Sequence, residues 1–149
     1  MRAVLQRVKE ASVEIDGREV GAIAGGLLVL LGIKQGDTEK DCDYLIKKIL
    51  KCRIFDDPDG VMNESLLDQK KSLLLVSQFT LYGDTRKGNR PSYMESAKGE
   101  EARPLYEYFI QKVKDQGIPV ATGEFGADMD VHLINDGPVT ILMDSEKIF

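Results

Sequence analysis

The chain has 149 residues and a formal net charge of −5, from 20 basic and 25 acidic side chains, with one histidine, two cysteines and no tryptophan. That length suits one domain spanning residues 1–149, and 42% hydrophobic with 30% charged residues is a globular composition. A multi-histidine metal centre is excluded, an all-thiolate zinc site would need at least two chains, and a pI near 5.0 argues against a broadly basic nucleic-acid-binding surface.

In chain order, the first third reads as strands. Val4–Val8 and Val13–Ile15 precede Asp16-Gly17, a strong hairpin-turn signal. Glu19–Ala24 returns, and Gly25-Gly26 leads into Leu27-Leu28-Val29-Leu30-Leu31, apolar on both faces as a central, doubly covered strand should be. Thr38 with Asp41 resembles a capping box. Cys42, Leu45, Ile46, Ile49 and Leu50 then follow at helical spacing. Asp56-Asp57-Pro58-Asp59-Gly60 is a turn cluster, and Leu73–Phe79 is another buried strand. A polar loop runs from Tyr82 to Pro91, and a second helix is expected over Glu100–Gln116, stopped by Gly117. Val120–Phe125, Met129–Asn135 and Val139–Met143 close the chain as short strands. This pattern predicts one α+β domain, a largely antiparallel, barrel-like sheet with two main helices on one face.

The ten-residue gap between Cys42 and Cys52 fits neither a redox pair nor a zinc-ligand pair, so both are expected to be reduced core thiols. The N-terminus has no signal-peptide core, and the longest apolar run is too short to span a bilayer. A cytoplasmic protein with no membrane partner is the expectation.

Candidate chemistry is sparse. His132 lies in an alternating segment; if Met129, Val131 and Leu133 point inward, it faces out with Asp130. The Asp56/Asp57/Asp59 cluster lacks the spacing of a calcium loop and reads as a solvated turn. No P-loop, G-x-S-x-G, H-E-x-x-H or G-x-G-x-x-G pattern occurs. Neither a metal nor a cofactor is expected. Arg86, Lys87 and Arg90 put three cations in one Gly/Asn/Pro loop of an acidic chain, either to solubilise it or to hold phosphates. Ser77-Gln78-Phe79-Thr80 breaks polar residues out of a hydrophobic strand. Ser77 and Thr80 could act as nucleophiles only with an activating base. Backbone amides offering an oxyanion hole are the more economical use of such a strand end. Asn135-Asp136-Gly137-Pro138 reads as a hairpin turn on composition alone.

Together these segments resemble the D-aminoacyl-tRNA deacylase family, also called D-tyrosyl-tRNA deacylases. The resemblance covers essentially the whole chain, from Met1-Arg2-Ala3-Val4-Leu5-Gln6-Arg7-Val8 onward. Its specific marks are the family's Ser-Gln-Phe-Thr motif, at Ser77–Thr80, and its Asn-x-Gly-Pro-x-Thr motif, at Asn135–Thr140. Asp84–Gly88 and Phe125–Met129 also fit. The resemblance implies a homodimer that hydrolyses D-aminoacyl-tRNA, gripping the CCA end, with no role for DNA. It implies a cis Gly137-Pro138 bond whose carbonyls enter the partner's pocket and exclude an L side chain. Ser77, Gln78, Phe79 and Thr80 would form the catalytic segment, Met129 would wall the amino-acid side, and Arg7 would orient Gln78 or the pocket rim. Arg86, Lys87 and Arg90 would contact tRNA phosphates.

Overall fold

The computed structural model describes residues 1–149, organised around β1 (Arg2–Ile15). What the sequence divides into two segments is one long strand. One of its edges carries β2 (Arg18–Ile23) along residues 11–15 and β3 (Gly26–Gly32) along residues 2–8, both antiparallel. Its other edge carries β8 (Asp130–Asp144), antiparallel from Arg2 to Glu14.

The expectation of a largely antiparallel sheet is corrected at this point: the sheet is mixed. β6 (Ser72–Ser77) pairs parallel with β3, and β7 (Val120–Thr122) pairs parallel with β6. The connection from β3 to β6 holds α1 (Glu39–Lys51), a small hairpin of β4 (Phe55–Asp56) and β5 (Met62–Glu64), and the one-turn helix α2 (Leu66–Gln69). A crossover that long permits parallel pairing, which a tight turn forbids. It also explains the doubly apolar run. Leu27, Val29 and Leu31 join Leu73 and Leu75 in the main core beneath α1 and α3 (Gly99–Asp115). Leu28, Leu74 and Val76 face the opposite way and meet Val8, Ala11 and Val13 in a smaller core inside the curl of the sheet. Each such leucine, fully buried, contributes about 1.5–3 kcal/mol from removal of apolar surface from water. The curl nearly closes into a barrel: a Cβ on Gly21 of β2 would lie 2.3 Å from the carbonyl oxygen of Thr122 in β7.

The helices begin where the sequence says. The Thr38 amide and hydroxyl both donate to Asp41 Oδ2, at 2.9 and 3.0 Å, closing the capping box of α1. α2 was not anticipated; Ser65 and Asp68 cap it in the same way. In the turn before β5, Asp57 Oδ1 accepts from the amides of Asp59 and Val61 at 3.0 and 2.9 Å. Cys42 is fully buried, and burial pushes its thiol up to about 12. Cys52 is also a free thiol, half-buried and packed against the rim of the main core.

β8 is the second correction in strand layout. Asn135–Pro138 does not end a strand; the ladder slips between Gln6 and Val8 and again between Val8 and Glu10, and the strand continues. The Asn135 side chain bridges the slip: Oδ1 accepts from the Val139 amide at 2.8 Å, while Nδ2 donates to Gln6 Oε1 at 2.6 Å and Thr140 Oγ1 at 3.2 Å. Alternation weakens along the same strand, since Leu133 is 36% exposed rather than packed inward. His132 is exposed and sits 3.7 Å from Glu14. At the start of β1, the Met1 ammonium donates to Asp37 Oδ1 and Ser145 Oγ, both at 2.9 Å. No helix is long and apolar enough to cross a membrane.

Candidate active site

Parallel strands point the same way, so β3 and β6 deliver their C-terminal ends to one edge of the sheet. A cavity of about 570 Å³ opens there, walled by Leu31 and Ile33 around the end of β3 and by Val76, Ser77, Gln78 and Phe79 around the end of β6. The Gln78 amide still donates to the Leu31 carbonyl at 2.8 Å, which fixes the strand end. The chain then turns through a 3₁₀ segment, Phe79–Tyr82, whose first hydrogen bond runs from Leu81 N–H to the Gln78 carbonyl. The amides of Phe79 and Thr80 precede that bond, and the opening amides of a helical turn have no partner within it. Gly32 lets the turn lie close: a Cβ there would be 3.0 Å from both the Gln78 carbonyl oxygen and Leu81 Cβ.

The opposite wall comes from the segment before β8, with Phe125 and Met129 in it, and from the loop and first turn of α3, with Tyr93, Ser96 and Ala102. Of these, only Met129 is a site residue expected from the sequence. Phe125 belongs to the Phe125–Met129 segment that carries part of the resemblance. Tyr93 carried no local signal; its ring meets Phe79 edge-on, with centroids 5.1 Å apart. The Ser96 hydroxyl is buried with no hydrogen-bond partner in the chain.

Thr80 sits on the same turn but outside the cavity wall. Its hydroxyl accepts a hydrogen bond from the Gln78 side-chain amide. A carboxamide is no general base.

Arg7, Gly137 and Pro138 form a separate cluster on β1 and β8. Arg7 is 6% exposed. Its Nη1 donates to the Ile54 carbonyl at 2.8 Å and to Asp56 Oδ1 at 3.1 Å, and its Nε donates to the Asp136 carbonyl at 2.9 Å. Within the chain the guanidinium therefore holds the Gly137-Pro138 segment and not Gln78. Asp56, read in sequence as part of a solvated turn, is one of its partners. The Gly137-Pro138 peptide is cis, and both residues are exposed. Gly137 has φ +134°, and a Cβ there would lie 2.7 Å from Val139 Cγ2 and 3.3 Å from Arg7 Nη2. Only glycine suits that place.

In the basic loop the three cations are not equivalent. Arg86 grips Asp84 with two side-chain bonds, 2.9 and 2.7 Å, and that guanidinium holds the Asp84 carboxyl far below the usual carboxylate range. Lys87 and Arg90 are exposed and make no ion pair within the chain.

The chain and its fold have close counterparts. A family model described as D-Tyr-tRNA(Tyr) deacylase matches residues 4–144. Proteins named D-aminoacyl-tRNA deacylase from Thermosipho melanesiensis and Clostridium tetani are each 60% identical, over the full length of both chains. The solved structure of a c-Myc DNA unwinding element binding protein superposes with a TM-score of 0.91 at 40% identity, covering 97% of this chain and 98% of that one. A probable eukaryotic D-amino acid tRNA deacylase shares the fold, with a TM-score of 0.81 at 19% identity, covering 96% of this chain and 98% of that one. These similarities define a hydrolase acting on aminoacyl-tRNA. The chain belongs to the D-Tyr-tRNA(Tyr) deacylase family.

Proposed function

We propose that the chain acts in the cytoplasm as a homodimer that removes D-amino acids, and glycine misattached to alanine tRNA, from the CCA end of tRNA. The cavity at the ends of β3 and β6 takes the terminal adenosine and the aminoacyl group. Gln78 and Phe79 line the adenosine side, and Met129 walls the amino-acid side. The observation that carries this reading is the placement of Ser77, Gln78 and Phe79 together on one wall of a cavity of about 570 Å³, beside backbone amides at the start of a turn.

The chemistry needs little from side chains. An aminoacyl ester is activated by its own α-ammonium and by the neighbouring ribose hydroxyl. The amides of Phe79 and Thr80 stabilise the tetrahedral oxyanion as water attacks with help from the 2′-hydroxyl. One oxyanion-hole donor is worth about 2.7–4 kcal/mol in other enzymes, and a fitted pocket adds orientation. The partner subunit's Gly137 and Pro138 carbonyls enter the cavity, accept hydrogen bonds from the substrate ammonium and leave no room for an L side chain. The hold of Arg7 and Asn135 on this segment supports that reading, because a wedge must be rigid to discriminate. Lys87 and Arg90 take tRNA phosphates, and Arg86 joins them only by sharing or giving up Asp84.

The direct test is ester loss from matched D- and L-tyrosyl-tRNA. The D ester is expected to be lost at least about a hundredfold faster, a difference of some 2.7 kcal/mol in barrier; equal rates, or none, would remove the proposal. A competing mechanism makes Thr80 a covalent nucleophile. Thr80→Ala is expected to keep deacylation within about threefold of the parent, since its backbone amide remains. A loss of several orders of magnitude in a folded variant would favour the nucleophile instead.

A further inference from the structure

Arg2 is the first residue of β1, five positions before Arg7, and forms no part of the cavity wall. Its side chain nevertheless reaches the catalytic turn. Nη1 donates to the Leu81 carbonyl at 3.0 Å, and the guanidinium carbon stands 4.5 Å from the centre of the Tyr82 ring. Leu81 and Tyr82 are the last two residues of the 3₁₀ segment that starts with Phe79. The guanidinium is itself held. Nε donates to Asp144 Oδ2 at 3.0 Å, and the Asp144 side chain is 1% exposed, while the Phe149 ring lies 5.7 Å from the guanidinium carbon. Asp144 in turn accepts from the Glu146 amide at 2.6 Å. The turn is thus braced from below by Gly32 and clamped at its C-terminal end by a cation anchored on β8.

We infer that Arg2 is a positioning residue for the deacylation: it fixes the Phe79–Tyr82 turn, and through it the Phe79 and Thr80 amides, against the sheet. The inference rests on the reading above that this turn carries the oxyanion site. Arg2 touches no substrate. Its bond to Leu81 is neither at the cavity nor required to pair Asp144, so the two duties of the guanidinium can be separated. Arg2→Ala removes both and leaves a buried carboxylate without its cation, which puts the fold at risk. Arg2→Lys keeps a cation for Asp144, but its single ammonium cannot serve Asp144 and the Leu81 carbonyl with the same planar fork.

The test is steady-state hydrolysis of D-tyrosyl-tRNA by Arg2→Lys, with amide hydrogen exchange followed by mass spectrometry. The expected result is kcat lowered roughly tenfold to a hundredfold, as for a displacement of about 1 Å at a reacting centre, with KM within about twofold. Exchange over residues 79–83 should quicken while β3 and β6 stay protected. Unchanged kcat and unchanged exchange would overturn the role of Arg2. Faster exchange over 79–83 with parental kcat would show that Arg2 holds the turn but that the turn does not carry the reaction, which overturns the reading beneath it. A fall in kcat with exchange quickened across the whole sheet, and none specific to the turn, would mark a merely structural residue and also overturn the inference.

Discussion

Arg7→Ala is expected to destabilise the fold by about 2–4 kcal/mol and to reduce D-ester hydrolysis at least about tenfold at temperatures where the protein is still folded. The stability figure follows from what is orphaned. Two backbone carbonyls, of Ile54 and Asp136, lose their donor, and an unsatisfied buried acceptor costs about 1–3 kcal/mol. The Ile54 bond is buried, so its loss is felt nearly in full. The Asp136 bond is partly open to solvent, and water recovers some of it. The ion pairs add little, because the Asp56 and Asp136 carboxylates are 53% and 37% exposed. Activity falls for a different reason: Asp136 immediately precedes the proposed wedge, and without Arg7 the wedge loses one of its two tethers. Urea denaturation measures the first effect and deacylation of D- and L-tyrosyl-tRNA the second. A variant with parental stability and parental preference for the D ester would show that the Arg7 bonds hold nothing that matters.

Gly26→Ala is expected to cost about 3 kcal/mol or more, since overpacking that cannot relax is among the severe single changes. Gly26 stands opposite Ser72 in the parallel pairing of β3 with β6, and an added Cβ would lie 2.0 Å from the Ser72 carbonyl oxygen. That oxygen is backbone, so relief requires the strands to separate. Ser77 lies at the far end of the same strand as Ser72, so the cavity wall moves with it. Gly25→Ala is the control. Its nearest contact would be an ordinary 3.6 Å from the end of the Lys71 side chain. A change within about 0.5 kcal/mol is expected there. Thermal unfolding of the two variants, side by side, checks the contrast; similar midpoints would mean the sheet yields where the geometry says it cannot.

How much of this was legible in the sequence depends on the range of the interaction. Local rules served well. The Thr38/Asp41 capping box, the Asp56–Gly60 turn and the apolar stripe of α1 are all settled within a few residues, and each forms. The doubly apolar run at Leu27–Leu31 reads as a central strand, but its partner's direction is a property of the crossover and not of the run. Composition misleads at Asn135–Pro138, because a side chain does there what a ladder carbonyl does elsewhere: Asn135 Oδ1 accepts from the Val139 amide and carries the strand across the slip.

The candidate site divides in the same way. Ser77, Gln78 and Phe79 are contiguous, and their strand-end position could be read directly. Tyr93, Phe125 and Ser96 reach the same cavity from loops remote in sequence, and only the folded chain joins them. The basic loop shows a further limit. Three cations in a row of five positions look equivalent on paper, yet the Asp84 carboxylate two residues before Arg86 takes one of them.

The pairing of β1 with β8 has a consequence in time as well as in space. The strand at residues 2–15 needs as its neighbour a strand remote in sequence, residues 130–144. So distant a pairing demands a large loop closure before it returns any stabilisation, and sheets of this kind fold slowly, in about milliseconds to seconds. During synthesis that edge of β1 stays unpaired until residues 130–144 have left the ribosome. Until then the edge presents unpaired backbone N–H and C=O groups to which other chains can add.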